Sequence, residues 1–191
     1  MGAPRIWREW REGRALARRA AEYVAALQAE PTEDDVGWLS RSATGGDIDH
    51  ARWELRYARR ALGLLVAQRD ALDDRTPSAI AAELTLALEG ERLIDAGKVE
   101  VAKRQFNQRL RAYADALADR RSREASGTRL GRTLFSFAGL GLTPAGPDLM
   151  RAGTLLSEYQ VEAGLALQKV FGTASLPEDI APSAADPTRP G

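Results

Sequence analysis

The chain has 191 residues, 44% hydrophobic and 28% charged, enough for one domain with a sizeable core. Basic and acidic side chains balance at 27 each, so no global field draws the protein to nucleic acid or to a membrane. Cysteine is absent, which excludes disulfides, thiolate metal centres and cysteine nucleophiles, and His50 is the sole imidazole.

A first helix is predicted over about 5–29. Ile6, Trp10, Gly13, Ala17, Ala20, Val24 and Leu27 recur at alternating spacings of four and three, the repeat of a helix packed along another helix. Glu30-Pro31 stops it, because the residue before a proline avoids the helical region. Thr32 then starts a short helical turn over Val36 to Leu39, with acids in its first turn. Asp47 is the expected N-cap of a second helix over 48–73, on which Ile48, Ala51, Leu55, Ala58, Leu62 and Leu65 hold the same rhythm. Trp53, Tyr57, Leu64 and Val66 widen its apolar surface, so it is expected to have more than one neighbour.

Thr76 followed by Pro77 marks the start of a third helix over 77–95. Gly90 and Gly97 predict a break before a fourth, over 98–122, with Val99, Ala102, Phe106, Leu110, Tyr113 and Leu117 inward. Leu130, Leu134 and Phe137 indicate a short helix, followed by a glycine- and proline-rich loop to Pro147. Asp148 is the expected cap of a fifth helix over 148–171, and Gly172 is its terminator. The expected fold is therefore all-α: an antiparallel helical bundle of about five helices, with coiled-coil-like packing of the first, second and fourth. Residues 1–172 form its single domain, and 173–191 are a Pro-rich C-terminal tail.

Catalytic patterns are sparse. His50 and Glu54 share a helix face behind Asp47 and Asp49, but those aspartates read as complements to a positive helix N-terminus. No Gly-x-Ser-x-Gly elbow accompanies the lone histidine. A bundle enzyme or ligand carrier using Asp47–Glu54 is kept as an alternative. Lys103, Arg104, Arg109, Arg111, Arg120, Arg121 and Arg123 cluster on and just beyond the fourth helix; Glu100, Asp115, Asp119 and Glu124 dilute them, so they read as a solvated face rather than a nucleic-acid site.

Two regions hold more apolar surface than such a bundle needs, and they are the candidate partner-binding residues: Ile6, Trp7 and Trp10, and Leu134, Phe135, Phe137, Leu140 and Leu142. In the second, apolar side chains point from both sides of a short helix, so one side is expected to face a partner. The preferred reading is a non-enzymatic interaction or scaffold protein, an accessory subunit of a larger assembly, with a protein partner and no cofactor. The alternative partner is a membrane surface, met through residues 1–19, where Trp7 and Trp10 stand among Arg5, Arg8, Arg11 and Arg14. The longest uncharged stretch, 133–147, falls short of the roughly 20 apolar residues a spanning helix needs, and no export signal is visible. The expected location is the cytoplasm, at most peripheral to a membrane or a membrane complex.

Overall fold

The computed structural model describes residues 3–71, 73–91, 96–119, 122–139 and 144–172, with 3–6 and 96 described by their backbone alone. Among these residues are seven α-helices, one 3-10 turn and no strand, so the fold is all-α. The helices are α1 (Ala3–Leu27), α2 (Glu33–Ser42), α3 (Ile48–Asp70), α4 (Arg75–Glu89), α5 (Val99–Ala118), α6 (Ser126–Ala138) and α7 (Gly146–Phe171); the turn, Ala96–Lys98, precedes α5.

The expected number of about five is corrected to seven. The segment read as a single turn is the ten-residue helix α2. Thr32 caps it, its Oγ1 accepting the Asp35 N–H at 3.1 Å, and Val36, Trp38 and Leu39 are buried. A helix this short is marginal alone and holds because packing rewards it. The short helix expected near Leu130 is α6, which buries Leu130, Gly131, Leu134, Phe135 and Ala138.

Several helix ends differ from expectation. Asp47 caps α3 as its position predicts, its Oδ1 accepting the His50 N–H at 2.9 Å. At α4 the acceptor is Asp73 rather than Thr76: the helix begins at Arg75, Thr76 is buried, and its N–H donates to Asp73 Oδ1 at 2.7 Å. α4 ends at Gly90, and the expected extension to Asp95 lies outside the described residues. α5 ends at Ala118 rather than 122. Asp148 is not a cap; it sits in the first turn of α7, where its carboxylate accepts from Trp38 Nε1 at 2.9 Å and Ser42 Oγ at 3.2 Å. It thereby ties α2 to α7.

α3 is the central helix. Ala51, Leu55, Tyr57, Ala58, Ala61, Leu62, Leu64, Val66 and Ala67 are all buried, and α2, α4, α5 and α7 pack around them. Each large apolar side chain hidden this way contributes about 1.5–3 kcal/mol. α1 and α3 run in opposite senses: the Tyr23 hydroxyl donates to the Gly63 carbonyl at 2.9 Å, while Arg56 forks onto Glu30. A Cβ on Gly63 would overlap Leu27, so glycine sets how closely these helices approach. Burial pushes the Tyr23 hydroxyl pKa well above its ordinary value.

Of the first, second and fourth predicted helices, α3 lies against α5, whereas α1 lies chiefly against α4 and α7. The most extensive helix pair is α6 with α7, and glycine explains it. Gly127 and Gly153 meet backbone to backbone, and a Cβ on Gly153 would lie 2.7 Å from the Gly127 oxygen. A Cβ on Gly131 would likewise stand 2.9 Å from the Leu149 oxygen.

Candidate interaction surface

The apolar stripe of α1 is used only in part. Ala20, Tyr23, Val24 and Leu27 are buried, but from Trp7 to Arg19 no side chain is. The helix therefore outruns the bundle and carries its stripe into solvent. Trp7 is 63% and Trp10 50% exposed, their rings edge to face with centroids 5.7 Å apart. The Arg14 guanidinium stacks 4.4 Å from the Trp10 centroid, a contact that steadies the ring without hiding it. The side chain of Ile6 lies outside the described residues.

The second expected patch is corrected. Leu134 is fully buried and Phe135 is 4% exposed, set edge to face on Trp38 with centroids 6.0 Å apart. Phe137, on the other side of α6, is partly buried and lies 4.6 Å beneath the Arg109 guanidinium. Both sides of α6 find partners because it sits between α7 and α5 and also touches α3. An acidic substitution at Phe135 would thus strike the core rather than a docking face. Leu140 and Leu142 lie outside the described residues.

The residues around His50 form a polar cluster that the sequence only half revealed. Arg109, read as part of a solvated face, is buried, and so is Glu54. Arg109 Nε donates to Glu54 Oε2 at 2.7 Å and its second terminal nitrogen donates to Oε1, a bidentate pair joining α5 to α3. Arg109 also donates to the Gln105 carbonyl and lies over Tyr57 at 5.0 Å. His50 Nε2 stands 3.3 Å from Glu54 Oε1. These groups floor a cleft of about 330 Å³ whose walls include Trp53, Val101 and Gln105. Desolvation raises the Tyr57 hydroxyl pKa, with the Arg109 charge opposing it. The signal was present: Arg109 lies three residues after Phe106 and four before Tyr113, and Glu54 three after Ala51, so opposite charges occupy the core stripes of two helices.

Comparison with protein-family models, with curated proteins and with solved structures finds no match.

Among the described residues, no three His, Cys, Asp or Glu side chains are grouped to hold a metal ion. No described helix is long and apolar enough to cross a membrane.

A further apolar surface escaped the sequence reading. Met150, Val161 and Leu165 are between 61% and 71% exposed along one face of α7, opposite the face carrying Leu156 and Ala163 into the core. With Thr154 and Ser157 they stand at spacings of four, three, four and four, a second stripe visible in the sequence. Beside it, α6 and α7 bound a groove of about 650 Å³ between Gly127 and Thr128 on one side and Met150, Gly153, Glu158 and Val161 on the other.

Proposed function

We propose that this protein is a non-enzymatic interaction protein, a subunit of a larger assembly, whose recognition element is the overhanging half of α1. The observation that carries this reading is the division of one helical stripe. Ala20, Val24 and Leu27 are core residues, while Trp10, Gly13 and Ala17 carry the same stripe on without being buried, and Trp7 stands exposed beside it. Solvent-exposed tryptophans amid arginines are the residue types that dominate interface energetics. The non-enzymatic part is supported by the state of Glu54: Arg109 occupies both of its oxygens, so this carboxylate beside the lone histidine serves an ion pair. Buried pairs of this kind join helices.

The second reading is contact with an anionic lipid surface, favoured by the arginines that surround the two indoles. Glu9 and Glu12 on the same overhang weigh against it. The test is the substitution Trp7→Glu with Trp10→Glu in the full chain. Circular dichroism is expected to stay unchanged, while the native size of the protein in extract of its own cells falls to that of the isolated chain. An unchanged native size would remove the arm from the recognition surface. Vesicles rich in phosphatidylserine, which bind wild type and not the variant, would select the lipid reading.

A further inference from the structure

We infer that the overhanging half of α1 docks along the α6–α7 groove and α7 stripe of a second copy of this chain, an inference that rests on the reading of that arm as the docking element. The two surfaces match in length. From Ala3 to Arg19 the arm is about 25 Å long, and from Met150 to Leu165 the stripe is about 22 Å, both at 1.5 Å per residue. They also match in chemistry. The arm sequence carries six arginines against two glutamates, whereas the groove is lined by Glu158 and Glu162 and by no basic side chain. Glu162 is already paired with Arg59, so Glu158 is the carboxylate left to meet an arginine of the arm. Between the charges each surface is apolar: Trp7 and Trp10 on one, Met150, Val161 and Leu165 on the other. Opposite charge on exposed apolar surfaces both speeds encounter and fixes register.

The occupant has to be another molecule. α1 is one continuous helix through Leu27, so its overhang cannot turn back on its own bundle. Its root shares a cleft with the α3–α4 turn and the end of α7, where Leu16 and Arg19 face Thr76 and Phe171. The groove lies toward the opposite end of α7, beside Gly127 and Met150. Each copy has one arm and one groove, so mutual exchange closes into a twofold pair with two identical contacts. Four half-exposed indoles covered in this way remove about 600 Å² from water, and the groove surfaces roughly as much again. The sum is near the lower bound of a stable interface.

The experiment is light scattering and sedimentation on the purified full chain with two exposed-site variants, Trp7→Glu/Trp10→Glu in the arm and Met150→Lys/Val161→Lys in the groove. Wild type is expected at twice the 20.8 kDa chain mass. Each variant alone is expected to be monomeric, with self-association weakened at least about thirtyfold. Mixing the two variants restores a heterodimer, weaker than wild type, because one intact arm and one intact groove remain between them. Should either variant lose helicity, a blue shift of wild-type tryptophan emission with rising concentration gives a second readout; its absence counts against the inference. A monomeric wild type, a groove variant that still dimerises, or a mixture that stays monomeric overturns it. The reading of the arm fails separately. If wild type is monomeric but the arm variant still collapses the native assembly or abolishes vesicle binding, the second copy is wrong and the arm stands. If the arm variant changes none of these, both fall.

Discussion

Trp7–Trp10 and Leu134–Phe137 look alike on paper, each a short aromatic cluster within a helix, yet the fold treats them in opposite ways. α6 is flanked by α7 and α5 and also touches α3, so Leu134 and Phe135 enter the core while Phe137 lies under Arg109 on the other side. α1 has neighbours only for its second half, so its tryptophans stay in water. The number of helices around a segment, rather than its aromatic content, decides whether such a cluster is core or surface. Glycine makes the difference at α6. Gly127, Gly131 and Gly153 let its backbone approach α7 closely enough for a short helix to be covered on both sides.

The sharpest way to break this comparison is to truncate one ring in each cluster. Phe135→Ala is expected to destabilise the protein by about 3–5 kcal/mol, the range for emptying a buried aromatic site. Trp10→Ala should stay within about 0.5 kcal/mol of wild type when both are unfolded at concentrations low enough to keep them monomeric. Urea unfolding followed by circular dichroism measures both, and equal losses would mean that the arm is packed.

Glu54 tests the polar counterpart beside α6. Glu54→Ala leaves Arg109 buried and unpaired, an expected loss of about 3–5 kcal/mol, whereas replacing both residues by leucine should be close to neutral. A double variant as unstable as the single one would show that the ion pair stabilises beyond its charge balance.

Glycine substitutions sharpen the contrast at smaller scale. Gly153→Ala forces a methyl group against the Gly127 backbone and is expected to cost about 1–3 kcal/mol. Gly13→Ala on the arm meets nothing within 4 Å and should gain up to about 1 kcal/mol from helix propensity. Thermal melts separate the two signs.

A further small effect is expected at the root of the arm, where Asp73, just before the N-cap Asp74, accepts from the first turn of α4. Its hydrogen bond from the Thr76 N–H holds the carboxyl pKa below its ordinary value. Stability from this group is present above the unfolded pKa and lost as pH falls through the lower, folded one. Asp73→Ala should therefore cost about 0.5–1 kcal/mol at neutral pH, the lower part of the capping range for an exposed carboxylate. The difference from wild type should shrink below about pH 4. A gap in melting temperature that is independent of pH would rule out the carboxylate as the acceptor.

Local chemistry made much of the fold legible. Apolar spacing marked α1, α3, α5 and α7, and Thr32, Asp47 and Gly172 marked ends that the structure uses, because caps and turns are satisfied by groups only a few residues away. The ion pair was legible in principle, as an acid and an arginine placed on core stripes, but only α3 and α5 lying side by side made them a pair. Asp148 shows the same limit. Its position suggested a cap, and the nearness of Trp38 and Ser42, more than a hundred residues away, made it a tie between helices. The sequence by itself determined that the chain is helical and where most helices begin. Tertiary structure alone decided that half of α1 overhangs, that α6 is covered on both sides and that one face of α7 remains bare. Burial depends on which surfaces meet across the whole chain, and periodicity along one helix shows which residues share a face, not what that face meets.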